Sequence, residues 1–490
     1  MLYWDLLLAP VRIRNKNTVK PLPSDIRSPF KKDFDTVCNS TILRRLQDKA
    51  QVFPLEKEDY ARTRLTHSIE VMAIAESLGM QARWFVLKNL DGFLSKEINE
   101  KEKEILNKRV NDIPKILGTA ALLHDMGNPP FGHLGEQIIG DWFRDNLPRL
   151  TKRSDGKYVV KDGGDAESTL AYKLKGRRAQ DLIHFEGNAQ LLRLVTKLNY
   201  VVDEDGMNLT FPVIATFIKY PCSSTTINKK VLSKKKIGFF TAEEDKYKKI
   251  TETLGLENCR HPLAFLLEAA DDIAYLTADI EDAHKKGIIT LDCLKEYLNK
   301  YKKDVIISKV LQEIDQYRLA AKAKNYPNIE DYVIRRVRIY IKGIMINAIH
   351  NVFTDKYQEI MNGTCEDELI KMSEAASLAE ALRKLEREKI YYCDRIVESK
   401  TRAFRVIQSL LDAYVPAVLN YKEQDSKKDT TEHILYLSLS ENYRHICEQA
   451  NKKEKDESVQ LYNRLLLVTD QISGMTDSRA MTTYQTISAM

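Results

Sequence analysis

Apolar residues recur at intervals of three and four along much of the chain, and this spacing predicts a mostly helical protein. Such a pattern places the apolar side chains on one face of an α-helix and polar side chains on the other. Two long stretches, 291–353 and 366–411, are predicted to be amphipathic helices with charged outer faces. Shorter apolar faces are formed by Leu65, Ile69, Met72, Ala73 and Leu78, by Ile113, Ile116, Leu117, Ala120, Ala121 and Leu123, and by Leu263, Leu266, Leu267, Ala270, Ile273 and Ala274.

Strand signals are confined to two short segments. Residues 157–162 and 200–210 combine β-branched or aromatic residues with neighbouring turn residues, and each is predicted to form part of a small hairpin. Two lysine-rich polar stretches, 223–236 and 422–431, interrupt the helical pattern and are interpreted as solvated loops. The expected fold class is therefore all-α, in one integrated body with at most a small β-hairpin.

The composition indicates a folded, globular chain. Hydrophobic residues make up 43% of the 490 positions, which is enough for a large buried core and excludes global disorder. The 76 basic and 70 acidic residues leave a net charge of +6, too small for a dedicated nucleic-acid coat. No run of about 18 consecutive apolar residues occurs, so we expect no membrane span.

Two features favour a cytoplasmic protein. The first ten residues include a run of three leucines, but Asp5 precedes them and no basic flank does, which makes a poor secretory signal. Seven cysteines are scattered without CxxC spacing, which argues against a disulfide framework or a thiolate zinc site. We expect them to be buried free thiols in a reduced compartment.

The most informative segment spans residues 122–133. An apolar helix is predicted to end with the adjacent His124 and Asp125, because the glycine and two prolines that follow stop it. A pair of ligand-type side chains at a helix end, followed by a rigid loop, is suited to face a cavity. A His-Asp pair is common by chance, so the pair alone carries little weight.

Three other residues give the pair a context. His67 lies at the start of a predicted helix, and Asp271 and Asp272 lie in an otherwise apolar helix face. Carboxylates in such a face are costly unless they are paired or bound to a metal. Each residue alone is compatible with an ordinary core or capping role. Together, His67, His124, Asp125 and Asp271 could supply two imidazoles and two carboxylates, a set that suits octahedral Mg²⁺, Mn²⁺, Fe²⁺ or Co²⁺.

This ordered set of residues resembles the H…HD…D pattern of the HD-domain phosphohydrolase superfamily. Several further blocks resemble bacterial deoxyguanosine triphosphate triphosphohydrolases (dGTPases), and together they extend over most of the chain. The blocks are residues 44–47, 51–55, 62–68, 124–136, 185–190, 268–275 and 472–477.

The resemblance also implies an organisation for the chain. An N-terminal segment would cover residues 1–40, and an HD-type helical catalytic core would cover 41–290. A helical extension over 291–490 would complete the active site and supply the oligomer contacts. Members of the family commonly assemble from dimers, so we expect a homo-oligomer, with a hexamer as the working assumption.

The residues that carry the pattern, His67, His124, Asp125 and Asp271, are the metal ligands that the resemblance implies.

Asp271 is preferred to its neighbour because Tyr275 and Asp279 follow it four and eight residues later, on the same helical face. In the family those two positions pack against the deoxyribose and its 3′-hydroxyl. Asp272 is expected to face elsewhere.

The family resemblance also implies roles for other residues. His133 and Glu136 resemble the family's catalytic pair, in which a histidine relays a proton and a carboxylate fixes its orientation. Gln51 and Val52 resemble the pair beside the sugar 3′-hydroxyl and C2′, where a branched apolar side chain would disfavour a 2′-hydroxyl. Val52 is equally compatible with an ordinary core role. The expected phosphate contacts are Arg64, Lys219, Tyr220 and Lys236.

The activity that the resemblance implies is metal-dependent hydrolysis of a dNTP, preferentially dGTP. Water attacks the α-phosphorus and releases deoxynucleoside and intact triphosphate, with Mg²⁺ or Mn²⁺ as cofactor and Fe²⁺ or Co²⁺ also compatible. The guanine preference comes from the family alone, because no block between residues 290 and 460 can be tied to the base. Two alternatives stay open: another HD-type nucleotide phosphohydrolase, and a non-catalytic sensor that binds nucleotides or single-stranded DNA.

Overall fold

Helices make up most of the regular structure in this computed structural model, which describes residues 1–14, 24–52, 61–163, 166–199, 205–257, 259–422 and 430–489. The helices up to residue 254 are α1 (Trp4–Leu7), α2 (Pro29–Cys38), α3 (Thr41–Arg45), α4 (Arg64–Asn89), α5 (Glu100–Asn111), α6 (Ile113–Leu123), α7 (His133–Asn146), α8 (Leu170–Lys173), α9 (Arg177–Ile183), α10 (Gly187–Arg193), α11 (Phe211–Phe217) and α12 (Glu244–Leu254). Those that follow are α13 (Pro262–Lys285), α14 (Leu291–Asn299), α15 (Val305–Ala323), α16 (Ile329–Asp355), α17 (Tyr357–Met361), α18 (Leu369–Met372), α19 (Ala376–Leu385), α20 (Asp394–Asn420), α21 (Thr431–Ser438), α22 (Glu441–Lys453), α23 (Glu457–Ser473) and α24 (Asp477–Ser488). The all-α fold class is confirmed.

The centre of the fold is formed by α4, α6 and α13, which pack against one another, while α16 packs against α4 and α13. Helix α4 begins with a capping box, in which the side chains of Thr63 and Thr66 each accept a hydrogen bond from the other's backbone amide. Helix α13 begins with a proline in its first turn, and the His261 side chain accepts a hydrogen bond from the Leu263 amide. These caps fix where the two longest central helices start.

One antiparallel hairpin is present in the described part of the chain. Strand β1 (Leu150–Lys152) pairs with β2 (Tyr158–Val160), and Thr151 lies opposite Val159. The strand predicted within 157–162 is therefore confirmed.

Part of the second predicted hairpin, residues 200–204, lies outside the described residues. In the remaining part, up to residue 210, the prediction of a strand is wrong. The chain after residue 204 forms a turn, and Thr210 makes one isolated bridge to Arg12. The buried carboxylate of Asp33 accepts hydrogen bonds from both the amide and the hydroxyl of Thr210. These bonds hold Thr210 at the start of α11 instead of in a strand ladder.

The two long amphipathic stretches are helical, but each is divided. The stretch 291–353 forms α14, α15 and most of α16, because the side chains of Asp304 and Asn328 cap new helices. Asn325, between the last two, has a left-handed backbone with φ 52° and ends the preceding helix. The stretch 366–411 forms α18, α19 and the first part of α20.

The apolar faces predicted for α6 and α13 are confirmed, because every residue assigned to them is buried. The face predicted for α4 is wrong, since Ile69 is 46% exposed and Ala73 is also exposed. The buried face of α4 instead carries Arg64, His67 and Ser68 beside its apolar residues. Apolar periodicity does not find a face on which several buried side chains are polar.

The cysteines differ from the expectation of uniformly buried thiols. All seven are free, but Cys222 and Cys447 are the buried ones, whereas Cys38 is exposed. The lysine-rich stretch 422–431 lies largely outside the described residues. Among the helices that the structure describes, none is both long enough and apolar enough to cross a membrane.

A buried ion cluster fixes α23 on the core. Arg193 donates hydrogen bonds to both carboxylate oxygens of Asp470 at 2.7 Å and to Glu243 at 2.7 Å. The three side chains are at most 4% exposed. The C-terminal helices are therefore tied to the centre of the fold by charge as well as by apolar packing.

We expect Asp470→Ala to destabilise the protein strongly, because it leaves the Arg193 guanidinium buried beside a single remaining carboxylate. Breaking a buried ion pair costs about 3–5 kcal/mol, so the midpoint of urea unfolding should fall clearly. Asp141→Ala is the matched control, since it breaks an exposed pair with Arg144 and should change the midpoint little. Equal midpoints for the two variants would contradict the structural role of the cluster.

Candidate functional site

The four predicted metal ligands meet where α4, α6 and α13 pack together. His67 lies in the first turn of α4, His124 and Asp125 directly follow α6, and Asp271 lies within α13. The Nε2 atom of His67 is 3.0 Å from Oδ1 of Asp271. The Nε2 atom of His124 is 3.6 Å from that same oxygen and 3.6 Å from Oδ2 of Asp125. Ligand atoms of His67, His124 and Asp125 lie within 4.8 Å of one another.

The imidazole of His124 is oriented as a metal ligand would be. Its Nδ1 atom donates a hydrogen bond to the backbone carbonyl of Ala121 at 2.6 Å, which directs the Nε2 lone pair towards the carboxylates. That Nε2 atom is buried and makes no hydrogen bond within the described residues. Burial opposes protonation of the ring, but the carboxylates of Asp125 and Asp271 outweigh it and raise the pKa of His124 to about 9. The donor set and its negative potential therefore fit a divalent cation.

The carboxylate of Asp125 is held from two sides. The Nη1 atom of Arg64 is 2.6 Å from its Oδ2, and the Asn128 side-chain amide donates to its Oδ1 at 2.6 Å. Burial favours the protonated form, but Arg64 and the nearby imidazoles keep the pKa of Asp125 well below its usual range. The residue therefore stays ionised, and Arg64, predicted as a phosphate contact, is already paired with a predicted metal ligand.

His133 and Glu136 form a hydrogen-bonded pair at the start of α7. The Nδ1 atom of His133 is 2.8 Å from Oε2 of Glu136, while Oε1 accepts a hydrogen bond from the Gly187 amide at 2.9 Å. The charge and hydrogen bond of Glu136 raise the pKa of His133, which favours its protonated form. The Glu136 side chain is buried, whereas that of His133 is 76% exposed. The imidazole is therefore fixed in orientation and open to a ligand.

The loop that precedes His133 has an unusual backbone. Phe131 and Gly132 both lie in the left-handed region, with φ values of 63° and 62°. A Cβ atom at position 132 would lie 2.2 Å from Nη2 of Arg64, which is already paired with Asp125, and the positive φ adds to the preference for glycine there. Phe131 has a side chain and adopts this conformation at an energetic cost. The local geometry that presents His133 is therefore strained and must be held by other contacts.

An open cavity of about 1430 Å³ borders the metal-type cluster. Asp125, Asp271 and His133 all line it. The structure brings six of the predicted substrate residues to the same cavity: Gln51, Val52, Arg64, Lys219, Tyr275 and Asp279.

A second cavity, of about 710 Å³, adjoins the first, and several residues line both cavities. The remaining predicted phosphate residues, Tyr220 and Lys236, line this smaller cavity. The residues shared by the two cavities are Asp125, His133, Lys219 and Asp271.

Both lysines of the smaller cavity are paired with carboxylates. The Nζ atom of Lys219 is 3.0 Å from Oε1 of Glu268, and that of Lys236 is 2.9 Å from Oε2 of Glu186. The other lysines of the segment 229–236 are exposed and line neither cavity. Lys236 is therefore the lysine of this segment that reaches the site.

One wall of the large cavity was missed by the sequence analysis. Arg383, at the end of α19, donates through Nε to the hydroxyl of Tyr275 at 2.9 Å, and its Nη2 is 3.0 Å from Oδ2 of Asp272. The Tyr391 hydroxyl donates to Oδ2 of Asp279 at 3.0 Å. Asp272 pairs with Arg383 and not with the predicted metal ligands, but it lines the same large cavity, which the sequence did not indicate.

Burial favours the protonated, neutral form of the acidic groups on this wall. Burial raises the pKa of Asp272 to about 7, although Arg383 opposes the shift. Burial likewise raises the pKa of Asp279 to about 7, and burial together with Asp279 raises that of Glu386 well above its usual range. The wall therefore carries less negative charge near neutral pH than its composition suggests.

Two imidazoles and two carboxylates from three packed helices, next to a His-Glu pair in an open cavity, define a protein of the HD-domain class. A family model described as HD domain matches residues 64–169, and one described as phosphohydrolase-associated domain matches residues 370–486. The first match includes all the site residues named here between His67 and Glu136, while Asp271 lies between the two matches.

Full-length relatives narrow the class further. A deoxyguanosinetriphosphate triphosphohydrolase-like protein of Listeria monocytogenes is 40% identical over 99% of both chains. A protein with the same description from Synechocystis sp. is 29% identical over 94% of this chain and 93% of its own. A deoxyguanosinetriphosphate triphosphohydrolase of Klebsiella pneumoniae is 31% identical over 95% of each chain. The chain belongs to the bacterial deoxyguanosinetriphosphate triphosphohydrolase family of HD-domain phosphohydrolases.

We expect substitutions in the cluster and in the His-Glu pair to separate metal binding from the other roles of the site. His124→Ala and Asp125→Ala should lose bound Mn²⁺, because each removes a ligand atom, whereas His133→Ala should retain it. Metal content would be measured by mass spectrometry after dialysis, with circular dichroism to check that the helices persist. Mn²⁺ retained by His124→Ala, or lost from His133→Ala, would contradict the assignment.

Proposed function

We propose that this protein is a metal-dependent dNTP triphosphohydrolase that prefers dGTP and cleaves it to deoxyguanosine and triphosphate. The proposal rests on one observation: Asp125, Asp271 and His133 face a single cavity together with side chains suited to a deoxyribose. The description of the Klebsiella pneumoniae relative as a deoxyguanosinetriphosphate triphosphohydrolase supports the same substrate. We further propose, from the resemblance, that it acts as a cytoplasmic homo-oligomer.

The predicted metal ligands would hold the cofactor, for which we propose Mg²⁺ or Mn²⁺ because these ions accept mixed imidazole and carboxylate ligands. A bound divalent cation would polarise the α-phosphate and activate a water molecule. The chain itself contributes the fixed ring of His124 and the carboxylate of Asp125, which Arg64 and Asn128 hold in place by hydrogen bonds.

The triphosphate would lie in and beside the smaller cavity. Burial disfavours the charged form of Lys219, yet the Glu268 carboxylate outweighs it and keeps the pKa of Lys219 well above its ordinary value. Glu186 acts similarly on Lys236, against the effect of burial. Both lysines are therefore cationic, and phosphate oxygens could accept their hydrogen bonds in place of the carboxylates.

The proton that the reaction requires is assigned to His133. Attack of water on the α-phosphorus forms one P–O bond and breaks the bond to the 5′-oxygen, which needs a proton as it leaves. Glu136 raises the pKa of His133, which favours the protonated ring that could donate this proton, and the exposed edge of the ring faces the cavity. Glu136 remains ionised, because His133 lowers its pKa to about 2 against the effect of burial.

The deoxyribose would bind against two unused acceptors. The Oε1 atom of Gln51 and the Oδ1 atom of Asp279 are buried and make no hydrogen bond within the described residues. A sugar 3′-hydroxyl would supply a donor to such a group, which otherwise costs free energy. Val52 lines the same cavity and would place a branched apolar side chain beside C2′, where a 2′-hydroxyl is disfavoured.

We expect purified protein to convert dGTP to deoxyguanosine and intact triphosphate in the presence of Mg²⁺ or Mn²⁺, and not after chelation. Each of the four dNTPs and GTP would be tested, and the products would be resolved by ion-exchange chromatography. GTP should be hydrolysed far more slowly than dGTP, because its 2′-hydroxyl meets Val52. Release of monophosphate and pyrophosphate would contradict attack at the α-phosphorus with loss of the nucleoside. If no nucleotide is hydrolysed, the alternative of a non-catalytic sensor is favoured.

A further inference from the structure

The C-terminal segment 473–477 crosses behind the candidate site. Asp477, at its end, is 2% exposed. Its Oδ2 atom accepts a hydrogen bond from the Ala50 amide at 2.9 Å, and its Oδ1 atom accepts one from the Phe131 amide at 3.0 Å. One carboxylate thus joins two loops that are far apart in sequence.

The two amides belong to the loops that carry the proposed chemistry. Ala50 directly precedes Gln51, which lines the large cavity with an unused acceptor atom. Phe131 is the left-handed residue two positions before His133. A charged acceptor on its amide stabilises a backbone conformation that a residue with a side chain rarely adopts.

Asp477 is the first residue of α24, but another residue caps this helix. The cap of α24 is Thr476, whose side chain accepts a hydrogen bond from the Arg479 amide. Both carboxylate oxygens of Asp477 instead point away from α24, to Ala50 and Phe131. The carboxylate therefore serves the two loops.

A neighbouring lysine strengthens the same junction. Lys49 is 3% exposed, and its Nζ atom donates to the carbonyls of Asn128 at 2.6 Å and Ser473 at 2.7 Å. Asn128 in turn donates from its side chain to the carboxylate of Asp125. The segment 473–477 thus contacts the surroundings of the predicted metal ligand as well as the loop before His133.

We propose that Asp477 is a positioning residue, which sets the relative placement of the sugar-side loop at Gln51 and the proton-donor loop at His133. The role rests on the proposed function, since it concerns the geometry in which the nucleoside leaves. It requires no direct contact between Asp477 and the substrate. Because the carboxylate links both loops, its loss should disturb substrate binding and turnover together.

The contact itself is tested without any nucleotide. In Asp477→Asn the amide group can accept at only one oxygen, so hydrogen exchange should become faster in peptides covering residues 49–52 and 129–134. Asp456→Asn is the control, because Asp456 caps the start of α23, the helix that leads to segment 473–477, and its side chain contacts Ser458, Lys175 and Arg178 and not the two loops. Unchanged exchange in both peptides of Asp477→Asn would overturn the proposal. If this variant does not fold, Asp477→Ser, which keeps one acceptor oxygen, takes its place.

The effect on the reaction is tested with steady-state kinetics. Asp477→Asn should raise KM and lower kcat, with kcat/KM falling by roughly tenfold to a hundredfold, because small misplacements of reacting groups are costly. Its Mn²⁺ content and its melting temperature should stay close to those of Asp456→Asn, whose kinetics should match the wild type.

A double variant shows whether Asp477 acts through His133. If it does, Asp477→Asn should lower kcat far less in a His133→Ala background than in the wild type. Fully additive effects on kcat, or wild-type kinetics despite faster exchange at both loops, would overturn the proposal. If the wild-type protein hydrolyses no nucleotide, the proposed function is refuted. The hydrogen-exchange experiment would still test the contact of Asp477 with the two loops.

Discussion

Two carboxylates, those of the buried Asp125 and the partly exposed Asp271, lie beside two imidazoles and impose the central constraint on this structure. They converge at the junction of α4, α6 and α13, where uncompensated negative charge is costly, above all for the buried Asp125. His67 and His124 approach them from the other side, and Arg64 pairs with Asp125. This requirement explains why the buried face of α4 carries polar side chains, and why a helix ends where the ligands begin. A divalent cation would complete the same compensation.

The surroundings of this cluster come from distant parts of the chain. Arg383 and Tyr391 build one wall of the large cavity from the second half, where they bind residues of α13. Asp477, close to the C-terminus, holds the loop that presents His133. The residues within the HD-domain match therefore do not form the site alone. The domain boundaries at residues 40 and 290 stay a prediction. Residues from both sides of the second boundary contact one another in the wall of the cavity.

Sequence patterns predicted the parts of the fold in which one physical effect dominates. Apolar periodicity found the buried faces of α6 and α13, and two prolines marked the end of the helix at His124. The same logic missed the polar face of α4 and the place of Asp272 in the cavity wall, because neither the width of a cavity nor a partner such as Arg383 is encoded in local spacing. The ligand set was suggested by residue types and their context and then by family resemblance, and the structure brings its four members together. Family resemblance singled out the block 472–477, but the contacts of Asp477 depend on tertiary packing over hundreds of residues and could not be predicted from that block.

The central claim, that His67, His124, Asp125 and Asp271 form one divalent metal site, is tested most directly by X-ray crystallography with Mn²⁺. An anomalous difference map should show one strong peak per chain among these four side chains, within coordination distance of their nitrogen and oxygen atoms. In crystals of Asp271→Asn grown in the same way, the peak should be weak or absent. A map with no peak at the cluster, or with the manganese bound by other residues, would contradict the account.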